Sequence, residues 1–190
     1  MGYLRAGRFA AVLGLGLFAA TGAAAQMHGN GHGHGHGMMH GQGGQHDETN
    51  MPGLRGENAT DAESAELAVM FNNFQTLSRG VENLPNGIRT VTRSSDPAVM
   101  EALISHVVGM IGRVEAKDDP KIFIQSPTLD IFFDRAEKID STIDVTDEGI
   151  VITQTSDDPE LVEAMHVHAA EVSAMAERGM QAVHEMMMSR

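Results

Sequence analysis

The chain has 190 residues, no cysteine, and 26 acidic against 13 basic residues, for a net charge of −13. Without cysteine it forms no disulfides, thiolate metal sites, c-type haem attachments or cysteine nucleophiles. Its acidity argues against nucleic acid and anionic membrane surfaces as partners, since both are held by basic patches.

The first 25 residues, MGYLRAGRFAAVLGLGLFAATGAAA, predict a secretion signal. Arg5 and Arg8 form a charged start, an apolar run follows from Phe9 to Ala20, and Ala23-Ala24-Ala25 supplies a small-residue cleavage box. The run is shorter than the roughly 20 apolar residues of a membrane-spanning helix and is broken by glycines. No cysteine stands at a lipidation box, so lipoprotein processing is excluded. Cleavage after Ala25 removes Arg5 and Arg8, leaving 11 basic residues against 26 acidic ones, a net −15. The expected compartment is periplasmic or extracellular, with no membrane insertion after cleavage.

Residues 27–46 read MHGNGHGHGHGMMHGQGGQH and hold six of the ten histidines. From 26 to about 60 the chain is Gly, His, Met, Gln and Asn with few aliphatic side chains, too little apolar surface to offset ordering entropy, and a disordered tail is expected. Imidazole and thioether are neutral ligands for late first-row metals. His32, His34 and His36 alternate with glycine, so two or three imidazoles can close on one ion. Met27, Met38, Met39 and Met51 add soft donors suited to Cu(I) beside His28, His40 and His46. Cleavage at Ala25 would also start the mature chain Gln26-Met27-His28, a square-planar amine, amide and imidazole set for Cu(II) or Ni(II) if Gln26 does not cyclise. The competing reading is low-complexity drift with no metal role. Because ligation needs neutral imidazole, affinity should fall as pH drops through about 6.5.

Hydrophobic periodicity runs from about Ser64 onwards, predicting one domain over 61–190, long enough to build its own core. An internal repeat at an offset of 62 lies within it: GIRTVTRSSDP at 87–97 aligns with GIVITQTSDDP at 149–159. Glu101-Ala102 then meets Glu163-Ala164, and His106 meets His168. Upstream, Leu67, Met70, Phe71, Phe74 and Leu77 map onto Leu129, Phe132, Phe133, Ala136 and Ile139. Each copy (about 64–118 and 126–182) reads as helix, hairpin, helix. The 67–77 and 129–139 spacings are helical, with Ser64 and Ser126 as N-caps. Asn86-Gly87 and Glu148-Gly149 mark hairpin turns, and Asp96-Pro97 and Asp158-Pro159 start long helices. The expected fold is α+β: two tandem αββα repeats making a four-stranded antiparallel sheet with helices, related by a pseudo-twofold.

The pieces VENLPNGIRTVTRSSDPAVMEALISHV and GIVITQTSDDPELVEAMHVHAAEVSAMAERGM resemble a group of small uncharacterised exported bacterial proteins. These carry a duplicated hairpin-plus-Asp-Pro-helix unit and, often, a His/Met-rich leader. The resemblance covers roughly residues 64–184 and implies the fold and export. It implies no activity and no site residue.

Within the domain, His106 and His168 occupy equivalent positions and are the natural pair for a metal or ligand site at the repeat interface. Each also lies at the flank of an apolar stripe, where a hydrogen-bonded boundary histidine is the commoner outcome. His166 and His168 diverge by about 200° on a helix and cannot chelate together. His184 lies five turns beyond His166, too far to share an ion. Met180, Met186, Met187 and Met188 are either soft ligands or a packing surface. No Gly-x-Ser-x-Gly elbow, His-Glu-x-x-His or phosphate-cradling glycine loop is present, so catalysis is not indicated. The sequence therefore points to binding, buffering or delivery of a transition metal, copper first and nickel or zinc as alternatives. The ligands would be His28, His32, His34, His36, Met38, Met39, His40 and His46, with a periplasmic protein as a further partner. The rival reading is a ligand- or protein-interaction module centred on the two-repeat domain. An enzyme working at the repeat interface is the weakest of the three.

Overall fold

A computed structural model describes residues 51–189. The expected signal peptide and the histidine run lie outside the described residues. Those described form an α+β fold of five α-helices and one four-stranded antiparallel sheet. The helices are α1 (Asp61–Asn72), α2 (Pro97–Glu115), α3 (Asp130–Asp134), α4 (Pro159–Arg178) and α5 (Met180–Met188). The strands are β1 (Leu77–Leu84), β2 (Gly87–Ser94), β3 (Asp140–Thr146) and β4 (Gly149–Thr155), in the order β1-β2-β4-β3.

Both hairpins close with two-residue turns, Pro85-Asn86 and Asp147-Glu148, each followed by a glycine that begins the return strand. Those glycines are required by the neighbouring strand. A Cβ on Gly87 would sit 2.0 Å from the Gln154 carbonyl oxygen, and one on Gly149 would sit 2.4 Å from that of Thr92. They therefore permit the central β2–β4 ladder, in which Thr90 faces Ile152, a pair separated by the 62-residue offset. After each hairpin an aspartate caps the next helix. Asp96 accepts from the Ala98 and Val99 amides at 2.8 and 3.3 Å, and Asp158 from the Glu160 amide at 3.1 Å. Lys138 and Arg135 also reach Asp158, and with the Lys138 hydrogen bond leading they hold its carboxyl down to about 2.

Alternation along the strands sorts the sheet into two faces. Ile88, Thr90 and Thr92 of β2 and Ile150 and Ile152 of β4 share the buried face, where α2 and α4 lie. Val99 and Leu103 of α2 pack against Ile150 and Ile152, whereas Met165 and Ala169 of α4 pack against Ile88 and Phe132. Helix α2 thus shares a cluster with strand residues of the second hairpin while also lying against β2, and α4 lies against β1 and β2 of the first hairpin. Among the described residues α2 alone has the length and apolarity of a membrane span, and its Val99 and Leu103 are core residues. The opposite face presents Arg89 and Arg93 around Val91.

Three expectations change. Helix α1 begins at Asp61, four residues before a start capped by Ser64, because Thr60 and Glu63 form a reciprocal capping box. It also stops at Asn72 instead of running to Leu77: the Asn73 side chain donates to the Val69 carbonyl at 2.8 Å and a 3₁₀ turn follows at Phe74–Thr76. The helix expected over 129–139 is the five-residue α3 between 3₁₀ turns, with Ser126 capping the first of them. Finally, the tail does not extend to residue 60. Residues 53–58 run antiparallel to 120–124, with the Phe123 amide donating to the Arg55 carbonyl at 2.8 Å. Leu54, 1% exposed, joins Ile124 and Val183 in a third cluster. One leucine in a polar stretch leaves no periodicity, so composition missed it. Leu54→Ala should therefore destabilise the domain by about 2–5 kcal/mol in urea denaturation, where a residue in a loose tail would give no change.

Candidate functional site

His28, His32, His34, His36, Met38, Met39, His40 and His46 lie outside the described residues. Inside them, His106 and His168 have separate partners rather than a common one. His106, on α2, turns its Nδ1 towards Glu66 of α1, 3.9 Å from Oε2. Burial holds its pKa below the usual value, against the pull of Glu66 and Glu63. Its Nδ1 is enclosed yet makes no hydrogen bond. His168, on α4, has Nδ1 3.7 Å from Glu171 Oε2 one turn along, and its ring meets Phe132 of α3 edge-on at 5.7 Å. Glu171 also accepts from the Ser126 hydroxyl at 2.8 Å. Burial would raise the Glu171 carboxyl, but His168, Ser126 and Thr128 outweigh it and the net shift is downward. Both histidines are thus boundary residues that join a long helix to the short segment before the hairpin. Among the described residues no group of three or more His, Asp and Glu side chains is placed to hold a metal.

His166 has a different role, invisible to spacing alone. Its Nε2 reaches the carbonyl oxygens of Gly87 at 2.9 Å and Leu84 at 3.2 Å, fastening α4 across the β1–β2 turn. A charge cluster was equally hidden, because its members are far apart in sequence. Arg113, near the end of α2, donates through Nη2 to Glu63 at 2.9 Å and to the Asn58 carbonyl at 3.0 Å, and through Nη1 to Asp118 at 2.7 Å. The Arg113 hydrogen bond, despite some burial, pulls the Glu63 carboxyl down to about 2. This network ties the entry to α1 to the exit from α2.

On the sheet side an open groove of about 430 Å³ lies beside the β3–β4 turn. Thr76, Ser78, Arg93, Ser94, Met100 and Asp147 are among its lining residues. Its walls carry hydroxyls, one guanidinium and one carboxylate, and no histidine, lysine or cysteine. That set can hold a polar or anionic group but supplies no base that titrates near neutrality. Arg79, on the edge strand β1, donates to the Thr92 hydroxyl at 2.6 Å. Burial lowers its pKa to about 10.

No protein family, curated protein or solved structure matches this chain. Its site must therefore be read from its own residues.

Two acid-side consequences follow. A carboxyl depressed in the folded state contributes stability above its unfolded value near 4.5, and this is lost as pH falls towards about 2. Glu63→Gln should therefore lower the urea midpoint at pH 7 and flatten its fall between pH 5 and 2, compared with the parent chain. A histidine whose folded pKa is lowered is neutral in the core, so its contribution shrinks as pH drops below about 6.5. His106 should show a neutral imidazole by NMR at pH 6.5, and a charged ring there would contradict the burial argument.

Proposed function

We propose that this protein is exported and binds, buffers or hands on a transition metal, copper foremost, through its His/Met-rich N-terminal tail. The observation that carries the reading is the run at 27–46, with six histidines spaced by glycine and flanked by methionines, directly after a signal-like segment. Imidazole and thioether together suit both copper oxidation states. The domain is the anchor in this reading. We further take it to be two copies of one αββα unit. Supporting this are the 62-residue offset joining Gly87 to Gly149, Asp96 to Asp158 and His106 to His168, and a central register that pairs Thr90 with Ile152. The resemblance to exported bacterial proteins with His/Met-rich leaders agrees with both parts.

The test compares Cu(II), Cu(I), Ni(II) and Zn(II) titrations of the mature chain with those of a full-length variant carrying serine at all six tail histidines. Substitution is preferable to truncation at Glu57, which would remove Leu54 from the core. Tight copper binding in the parent, weakened at least tenfold in the variant and falling below pH 6.5, is expected. Equal binding by both proteins, or none below about 10 μM, sinks the proposal.

The rival reading, an interaction module in which the tail is incidental, has one specific support. Arg89 and Arg93 flank Val91 on the sheet face opposite Ile88, Thr90 and Thr92 of an acidic protein, and neither forms an ion pair among the described residues. If that face does the work, a strain complemented with R89E/R93E loses function while one carrying the six tail serines keeps it.

A further inference from the structure

The methionine-rich C-terminus divides between the two faces of α5. Ala182 and Val183 are buried, and Met186 packs on the cluster of Leu54, Ile124 and Val183, so the inner face is fully occupied. Met180, Met187 and Met188 point the other way, 37%, 46% and 75% exposed, and His184 is exposed with them. At 100° per residue these four side chains fall within an arc of about 100°, with His184 one turn from each of the methionines. Met180, Met187 and Met188 are thus open to water while the inner face of the helix supplies the core contacts.

We propose that this outer face of α5 is a second metal site, taking a soft monovalent ion, Cu(I) or Ag(I), between the thioethers of Met180 and Met187 and the imidazole of His184. Met188 stands beside them as an additional thioether. Two neutral sulfurs and one neutral nitrogen are the low-coordination, soft donor set that selects Cu(I) over harder divalent ions. The reach is adequate: Met180 and Met187 are separated along the axis by about 10.5 Å, and three rotatable bonds let each sulfur swing towards the histidine between them. The same spacing disfavours Zn(II) and Ni(II), which prefer more nitrogen and oxygen donors. Such a site would hold copper against the folded domain, and it does not rest on the tail reading.

The test uses the mature full-length chain labelled at methionine methyls, titrated with Ag(I) as a redox-inert stand-in and with Cu(I) under anaerobic reductant. The expected result is a shift of the Met180 and Met187 methyl signals at the first equivalents, with the fully buried Met165 unmoved. M180L/M187L, in the full-length background with six tail serines, should keep its melting temperature and lose Cu(I) affinity by about tenfold or more in competition with a chelating dye. The proposal is overturned if only tail methionines such as Met38 and Met39 respond, or if no methionine does. Concentration-dependent shifts of Met180 and Met187 without metal would identify the face as a self-association surface and overturn it equally.

Discussion

The central pairing of β2 with β4 is the constraint on which the rest of the structure depends. Six residue pairs, from Gly87 with Thr155 to Thr92 with Ile150, join two hairpins that share no other strand pairing among the described residues. Because α2 packs on Ile150 and Ile152 while α4 packs on Ile88 and is fastened to Leu84 and Gly87, neither hairpin is covered by its own helix alone. The two glycines that allow the strands to approach are therefore as structural as any core leucine.

The same exchange explains the surroundings of the domain histidines. The flank of each long helix lies against the short segment before the hairpin that leads into it, α1 for His106 and α3 for His168. Burial and one nearby carboxylate are what each ring meets there, which makes an interior joint rather than an open coordination site. The groove beside Arg93 is an open polar surface, and the outer side of α5 an open apolar one.

Much of the fold was legible because short-range chemistry wrote it. Asp96-Pro97 and Asp158-Pro159 act through cap geometry within a few residues and appear where local physics requires, while the hairpin turns close one residue earlier than Asn86-Gly87 and Glu148-Gly149, on Pro85-Asn86 and Asp147-Glu148. The helix ends before β1 and β3 were not legible. Apolar spacing continues from Leu67 to Leu77, yet the Asn73 side chain captures the Val69 carbonyl and the chain tightens into a 3₁₀ turn. Leu54 was missed for a related reason: a single apolar residue has no period, and its burial depends on residues 122–124 and α5, far along the chain. The Glu63–Arg113 pair spans fifty residues and leaves no local pattern at all.

By itself the sequence determined the order of strands and helices along the chain, the aspartate caps of α2 and α4, the absence of thiol chemistry and the concentration of histidine and methionine at 27–46. These follow from residue identity and spacing, and need no distant partner. Only the tertiary structure decided which hairpin each helix covers, that His106 and His168 have separate partners, and which methionines of α5 face water. Those outcomes depend on contacts between residues far apart in the chain, where packing and desolvation set the result and local periodicity carries no trace of it.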